Sequence, residues 1–154
     1  MNIETFLKER RCEFERIPHH PTYSAQRLAQ ELHVPGQEVA KTVLLRCNKG
    51  CKLIVAVLPA NKSIDLAAAS KLLGGRKLQL ATEMEIAEHC TDCEFGVLPP
   101  FGSRYGMRTI VDSSLADDEE IVFAANSHEE AIRMKFEEFL KVEDPKIGQF
   151  AVSE

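Results

Sequence analysis

The sequence predicts an α+β fold in which a mixed, strongly curved β-sheet is flanked by helices. Two almost entirely apolar runs, Val39–Cys47 and Leu53–Leu58, are separated by the turn-forming residues Asn48-Lys49-Gly50. They predict a hairpin whose strands are covered on both faces. Helical patterns lie between further strand-like segments, without the regular alternation of a doubly wound fold. The 154 residues contain no linker or repeat, so we expect a single domain over residues 1–154.

The chain before the hairpin predicts two helices and one strand. Ile3 to Arg10 carries its apolar side chains on one helical face, and Cys12 to Ile17 alternates as a strand does. Ser24 is a favourable N-cap for a helix over residues 25–32, which Pro35-Gly36 ends.

The chain after the hairpin predicts a mixture of helices and short strands. Thr82 and Glu85 form a capping-box pattern, and Ser127 with Glu130 repeats it before a last helix running to about Leu140. The tail after Asp144-Pro145 is expected to be loosely held. The predicted elements are a helix over 65–73, a strand over 77–80, a helix over 83–89, strands over 108–112 and 121–124, and a helix from 128 to about 140.

Composition and charge narrow the functional classes. With 44% apolar and 28% charged residues the chain is an ordinary globular protein, and no apolar run approaches the roughly 20 residues that span a bilayer. The N-terminus lacks a signal-peptide core, so we expect a cytoplasmic protein and no membrane partner. The net charge of −5 is unevenly placed, because residues 1–77 hold 13 Lys and Arg against 7 Asp and Glu. That basic half could meet phosphates, or it could be ordinary solvated surface.

The five cysteines raise the question of a metal. An odd number without an export signal favours reduced thiols. Cys47 with Cys51 and Cys90 with Cys93 could form the halves of a zinc site, but the pairs lack the usual ribbon or finger spacing. We therefore expect no metal.

Lys41 and a glycine/proline loop are the candidate functional features. Strand alternation places Lys41 on the same side as Val43 and Leu45, at the rim of an apolar pocket, where its charge would favour an anionic group or an oxyanion. The alternative is a lysine that reaches solvent from the strand end. In Gly96–Gly102, prolines stiffen the chain and glycines permit close approach to the backbone, whose free N–H groups could polarise a carbonyl. The alternative is a purely structural loop.

Motifs for nucleophilic or metal-dependent hydrolysis are absent: the sequence has no Ser-His-Asp signature, P-loop, GxGxxG or HExxH. Hydrolysis would have to use a positioned water, with catalysis supplied by substrate groups and backbone dipoles. His128 is a secondary candidate, because the predicted last helix would point it into a cleft.

The chain resembles the YbaK/prolyl-tRNA-synthetase-associated editing domains, which are free-standing aminoacyl-tRNA deacylases. The resemblance covers nearly the whole chain, in the family's order. It is carried by Thr22-Tyr23-Ser24-Ala25-Gln26-x-Leu28-Ala29, Val39-Ala40-Lys41-Thr42-Val43-Leu44, Gly96-x-x-Pro99-Pro100-Phe101-Gly102, Val111-Asp112 and Phe123-Ala124-Ala125-Asn126-Ser127-His128.

The resemblance implies hydrolysis of the ester of a mischarged aminoacyl-tRNA, with Cys or Ala on the tRNA for proline as the frequent substrates. It implies a partly barrel-like sheet, no cofactor, the aminoacyl-tRNA acceptor end as the partner, and a prolyl-tRNA synthetase as a further candidate partner. Lys41, Gly96 and Pro99 would carry catalysis. The residues implied to bind the substrate are Tyr23, Ser24, Thr42, Pro100, Phe101, Gly102, Asn126, Ser127 and His128.

One departure concerns the site. Many relatives have glycine where this chain has Asn126, and an asparagine there could narrow the pocket or add a hydrogen bond. Two other functions remain open, namely a tRNA or nucleotide binder without turnover and a structural partner of a synthetase. Since the basic residues are scattered, we expect affinity for tRNA to be modest or to be supplied by a synthetase partner.

Overall fold

The computed structural model describes residues 2–48 and 53–154. Among these residues, no helix is long and apolar enough to cross a membrane. The helices are α1 (Ile3–Glu9), α2 (Ala25–Leu32), α3 (Leu66–Leu72), α4 (Glu83–His89) and α5 (Phe136–Glu143). The strands are β1 (Phe14–Pro18), β2 (Ala40–Cys47), β3 (Leu53–Pro59), β4 (Lys62–Ile64), β5 (Leu78–Leu80), β6 (Arg108–Asp112), β7 (Glu120–Ala124), β8 (Glu130–Lys135), β9 (Lys146–Gly148) and β10 (Ala151–Ser153).

Side-chain caps begin the helices where the sequence predicts them. Ser24 accepts a hydrogen bond from the amide of Arg27 at the start of α2. At α4, the Thr82 side chain accepts from the amide of Glu85, and the Glu85 side chain accepts from the amide of Thr82. These caps satisfy amide groups that have no partner within the helix, so both predicted starts are confirmed.

The main sheet is mixed and has five strands in the order β5-β2-β3-β6-β9. β2 pairs antiparallel with β3 and β5, whereas β6 pairs parallel with β3 and β9. The predicted hairpin is confirmed by the pairing of β2 with β3, although Lys49 and Gly50 of its turn lie outside the described residues. β3 is buried over almost its whole length, which explains its continuous apolar sequence.

Two smaller antiparallel sheets complete the architecture, with strand orders β1-β8-β7 and β10-β4. An isolated parallel bridge from Val39 to Val122 links the start of β2 to β7. The predicted combination of helices with a mixed sheet is thus confirmed. Within the described residues the strands divide into three sheets, and the partly barrel-like closure stays a prediction.

The prediction of a helix starting at Ser127 is wrong. Residues 130–135 form β8, the central strand of its sheet, and the last helix begins only at Phe136. Ile132 and Met134 are buried, and β8 is paired on both edges, so tertiary pairing overrides the local capping pattern. Ser127 instead accepts a hydrogen bond from the amide of Glu129 within the turn before β8.

The prediction of a loose C-terminal tail is also wrong. β9 extends the main sheet and β10 pairs with β4, while Phe150 between them is 1% exposed. The Asp112 carboxylate accepts hydrogen bonds from the amides of Phe150 (2.8 Å) and Ala151 (2.9 Å). Contacts distant in sequence therefore hold a segment that carries no strong local signal.

A cluster of aromatic rings fixes the glycine/proline loop to the core. The ring of Phe101 is fully buried, and its centroid lies 5.3–5.7 Å from those of Phe6, Phe123 and Phe139. These rings come from α1, β7 and α5, so one loop residue joins three elements. Edge-on and tilted ring pairs of this kind stabilise a core beyond their buried area.

Candidate active site

A cavity of about 240 Å³ lies where α2, the start of β2, the glycine/proline loop and the turn after β7 meet. We call it the inner cavity. Its lining combines apolar side chains with one lysine, four hydroxyl-bearing side chains and one imidazole. The residues that line it are Thr22, Tyr23, Ser24, Ala25, Leu28, Ala40, Lys41, Thr42, Gly96, Val97, Leu98, Ala124 and His128.

Lys41 lies at the second position of β2, and its side chain is 24% exposed. Val43 and Leu45, which follow at intervals of two, pack together in a cluster against β3. The side chains of β2 alternate as predicted, and Lys41 is among the residues that line the inner cavity. A cation that is largely withdrawn from water interacts more strongly with an anion than one on the open surface.

Glu154 is the ionic partner of Lys41 and was missed by the sequence analysis. Its Oε1 lies 3.5 Å from Nζ of Lys41. Gln26 Nε2 donates to Oε2 of the same carboxylate at 2.6 Å, and Ser63 Oγ donates to Oε1 at 3.4 Å. Three side chains from three elements thus converge on one carboxylate. The sequence held no local signal for this arrangement, because the pairing of β10 with β4 brings Glu154 to Lys41 from far along the chain.

The loop between α4 and β6 supplies the backbone wall of the cavity. Gly96 has a φ of +85°, the left-handed region that glycine adopts readily. The amide N–H groups of Gly96 and Leu98 have no acceptor within the part of the chain that the structure describes. Both residues line the cavity, so these amides are candidate donors to a carbonyl oxygen.

The second half of this loop lies away from the cavity lining. Pro99 and Pro100 are buried, and Phe101 is the centre of the aromatic cluster. The φ of Gly102 is not positive; instead, a Cβ there would lie 2.5 Å from Thr109 Oγ1 and 2.8 Å from the Met107 carbonyl oxygen. None of these four residues lines the inner cavity; they are buried and support the loop from the core side. They include the predicted catalytic residue Pro99 and the predicted substrate-binding residues Pro100, Phe101 and Gly102.

His128 joins the two walls of the inner cavity. It lies in the turn between β7 and β8 rather than in a helix. Its Nδ1 is 3.1 Å from the Thr22 carbonyl oxygen and its Nε2 is 3.0 Å from that of Phe95. Which of the two ring nitrogens donates depends on the tautomer. With both ring nitrogens occupied, His128 is placed to hold the walls together rather than to take a proton from water.

Three more of the implied substrate-binding residues line the inner cavity, namely Tyr23, Ser24 and Thr42. The ring of Tyr23 is 4.6 Å from that of His128, and the residue is 77% exposed. The Ser24 hydroxyl caps α2, whereas the Thr42 hydroxyl has no hydrogen-bond partner among the described residues. Thr42 is therefore available to a bound ligand.

Asn126 faces a structural network instead of the cavity. Its Oδ1 accepts from the amide of Ile3 at 2.7 Å, and its Nδ2 donates to Asp92 Oδ1 at 3.2 Å and to Tyr105 at 3.3 Å. Burial and the Asp92 carboxylate raise the pKa of Tyr105 above its ordinary value. Of the two possibilities for Asn126, the added hydrogen bonds are seen and the narrowing of the pocket is not; neither Asn126 nor Ser127 lines the inner cavity.

A cysteine pair lies beside this network. Cys90 and Cys93 are joined as a disulfide, in contrast to the expected reduced thiols. Asp92 lies between them in sequence and within ligand distance of both. Cys51 of the other predicted pair lies outside the described residues.

Comparison with known proteins decides the family. The family model described as the aminoacyl-tRNA editing domain matches residues 19–142, a span that contains Lys41, the glycine/proline loop and His128. The chain belongs to the aminoacyl-tRNA editing domain family. This editing domain is 29% identical over 98 residues to the multifunctional Ser/Thr-tRNA deacylase ProXp-y of Escherichia coli, in both strain K12 and O157:H7. The matched part is 63% of this chain and 58% of each relative, so it spans less than two thirds of their length.

Solved structures agree with the fold of this editing domain. The crystal structure of a hypothetical protein superposes with a TM-score of 0.88 at 19% identity, covering 97% of this chain and 99% of that one. A provisionally assigned trans-editing enzyme for prolyl tRNA synthetase superposes with a TM-score of 0.80 at 20% identity, covering 99% and 94%. At these identities the likeness establishes the fold.

Proposed function

We propose that the protein is a trans-editing deacylase, which hydrolyses the ester between a wrongly attached amino acid and the 3′-terminal ribose of a tRNA. One observation carries the proposal. The Lys41 ammonium group and the unpaired amides of Gly96 and Leu98 line the same apolar-floored cavity. A cation and backbone donors around a small apolar space are what an ester carbonyl needs when negative charge develops on its oxygen.

The proposed reaction is a single acyl transfer to water. The water oxygen forms a bond to the ester carbonyl carbon, and the carbonyl π electrons move to oxygen. The amides of Gly96 and Leu98, together with Lys41, stabilise that oxyanion. When the carbonyl re-forms, the bond to the ribose oxygen breaks, and this oxygen receives the proton that the water loses. The products are the free amino acid and a tRNA with an intact 3′ end.

Water activation is assigned to the substrate. The titratable side chains that line the inner cavity are Tyr23, Lys41 and His128. A charged lysine is a poor base, and both ring nitrogens of His128 face carbonyl oxygens. The ribose hydroxyl next to the ester is the nearest remaining group that could orient the water. Lys41 and the loop then contribute by positioning and electrostatic stabilisation.

The size of the cavity supports a small amino acid. At about 240 Å³ it lies below the usual range for drug-sized ligands, and its floor includes Leu28, Val97 and Leu98. Cysteine or alanine on the tRNA for proline is our first assignment. Serine and threonine are the next candidates, because the ProXp-y relatives are named for them and the Thr42 hydroxyl could bind a substrate hydroxyl. A mainly apolar pocket rejects an added hydroxyl only weakly.

The partners follow from this substrate. The acceptor end of an aminoacyl-tRNA is the direct ligand. A prolyl-tRNA synthetase is proposed as the protein that supplies additional affinity, since the exposed cations are scattered. The reaction would take place in the cytoplasm, where tRNAs are charged. If turnover is absent, the same cavity would serve a binding module for the tRNA end.

A deacylation screen tests the proposal. Wild type, Lys41→Ala and the control Lys141→Ala are incubated with tRNAs carrying alanine, cysteine, serine, threonine or proline, and loss of the ester is followed. Lys141 is an exposed cation of α5 that does not line the cavity. We expect at least one species to be hydrolysed, a loss of about 100-fold or more in Lys41→Ala, and an unchanged rate in Lys141→Ala. If folded wild type hydrolyses none of the species, the protein is a binding module.

A further inference from the structure

A second cavity lies on the other side of Tyr23. It has a volume of about 580 Å³ and shares Thr22, Tyr23 and Ser24 with the inner cavity. Its remaining wall includes Arg27, Gln30 and Glu31 of α2. We call it the outer cavity. Residues 22–24 line both spaces, so the two cavities adjoin and one ligand could extend from one into the other.

We propose that the outer cavity binds the single-stranded nucleotides that precede the terminal ribose of the tRNA. The proposal rests on the proposed function. It follows from covalent connectivity, because the ester in the inner cavity is attached to the last ribose. The next phosphate and base must then lie within one nucleotide of the cavity rim. The outer cavity is the adjoining space on the Tyr23 side, and its volume lies within the range of ordinary ligand sites.

Tyr23 has the exposure and support of a stacking platform. One side of its ring is in contact with His128, at 4.6 Å between ring centroids and an interplanar angle of 45°. His128 is in turn fixed by the carbonyl oxygens of Thr22 and Phe95. The residue nevertheless keeps 77% of its surface exposed. Large, supported and exposed aromatic rings are the usual surfaces on which proteins stack unpaired bases.

Arg27 supplies the phosphate contact. It is exposed on α2, and no carboxylate of the described residues forms an ion pair with it. Its guanidinium group can bind a phosphate with two hydrogen bonds, and Gln30 one turn along can donate to a base or ribose. Glu31 also lines the cavity and opposes an anion, so the affinity of this site for nucleotides is predicted to be modest.

Two substrates are compared so that the nucleotide site can be tested separately from the proposed catalysis. One is aminoacyl-tRNA, and the other is adenosine esterified with the same amino acid at its 3′ oxygen, which lacks the preceding phosphate and base. We measure kcat/KM of both for wild type, Arg27→Ala, Gln30→Ala, Tyr23→Ala, Tyr23→Phe and the control Lys141→Ala. A second readout is the anisotropy of a fluorescent single-stranded RNA ending in CCA, which requires no turnover.

We expect Arg27→Ala and Gln30→Ala to lower kcat/KM for aminoacyl-tRNA about three- to tenfold through KM, and to leave aminoacyl-adenosine unchanged. Tyr23→Ala is expected to lose about tenfold or more on the tRNA, whereas Tyr23→Phe keeps the ring for stacking and should lose clearly less. Glu31→Gln should tighten binding of the RNA. The inference would be overturned if Arg27→Ala and Gln30→Ala lost equally on aminoacyl-tRNA and aminoacyl-adenosine. It would also be overturned if Arg27→Ala left RNA binding unchanged.

These measurements also distinguish failure of the proposed catalysis from failure of the proposed nucleotide site. If wild type hydrolyses neither substrate but binds the RNA in an Arg27- and Tyr23-dependent way, the proposed catalysis fails and the nucleotide site stands. If the wild type is active and the variants change nothing, the activity stands and the outer cavity has another occupant, such as a partner protein.

Discussion

The Lys41 ammonium nitrogen lies 3.5 Å from Oε1 of Glu154, so the cation of the inner cavity is already paired with an anion. Gln26 and Ser63 hold the same carboxylate. If Lys41 binds an anionic part of the substrate, as the proposed function requires, that group has to displace or share this carboxylate, at a cost in affinity.

Replacing Glu154 by glutamine is expected to raise activity. The amide keeps an oxygen for Gln26 and removes the negative charge that competes for Lys41. We expect kcat/KM for aminoacyl-tRNA to rise about two- to fivefold at about 0.1 M salt, and less at about 0.5 M because surface charges are then screened. Glu137→Gln, which removes an exposed carboxylate of α5, is the control. A tenfold or greater fall in kcat would instead assign Glu154 a part in the chemistry.

Replacing His128 tests whether it holds the cavity walls or transfers protons. His128→Ala removes both ring-nitrogen contacts with carbonyl oxygens, and a lost hydrogen bond costs about 1 kcal/mol, whereas the side-chain amide of His128→Gln can restore one contact. For His128→Ala we expect a lower melting temperature and a fall of about tenfold in kcat/KM for aminoacyl-tRNA. His128→Gln should recover part of both losses. A loss of kcat of about 100-fold or more at unchanged stability would identify a proton-transfer role.

Gly102→Ala should damage stability more than activity. The new Cβ would meet Thr109 Oγ1 and the Met107 carbonyl oxygen well inside contact distance, which is expected to cost about 1–3 kcal/mol. Gly96→Ala is the matched comparison, because it has no neighbour closer than 3.9 Å and is strained only by its φ. Urea unfolding and kcat/KM of the two variants should therefore rank in opposite orders. The same ranking in both measurements would contradict the division of the loop into a cavity half and a core half.

Asp112→Asn should lose stability in a pH-dependent way. Burial raises the pKa of the Asp112 carboxyl group, but hydrogen bonds from Ser114, Phe150 and Ala151 outweigh it and leave the pKa below its ordinary value. A lowered pKa in the folded state means that the stabilisation is present above the ordinary pKa and is lost as the pH falls through the folded pKa. We expect the variant to lose about 2 kcal/mol at neutral pH and less at about pH 3.

Urea unfolding of both proteins across this range checks the Asp112 prediction. A difference that does not change with pH would show that the lost stability comes from packing alone and not from the charge.

Local signals in the sequence predicted much of the framework. The caps at Ser24 and Thr82 involve neighbours within three residues, so they can be recognised without the fold. The same type of signal misled at Ser127, where pairing of β8 with β1 and β7 dominates. The C-terminal strands were missed because their anchor is Asp112, which is distant in sequence.

The residues of the candidate site also fall into those that the sequence predicted and those that it did not. Lys41, Gly96, Thr42 and His128 were predicted and line one cavity, although His128 was expected on a helix. Glu154 and Arg27 were not predicted as site residues, because their positions depend on where β10 and α2 lie in space. The family resemblance also implied Phe101 and Gly102 as substrate-binding residues, but in the structure they support the loop from the core side.

The ring cluster around Phe101 has a consequence for how the protein acquires its site during synthesis. Phe101 packs against rings near both ends of the chain, from Phe6 in α1 to Phe139 in α5. Contacts of such high sequence separation form late and slow the folding of a small domain. The Gly96 wall of the inner cavity is therefore expected to take its final shape only once α5 is free to pack on Phe101. A chain cut short before α5 is expected to form the β2–β3 hairpin without a working cavity.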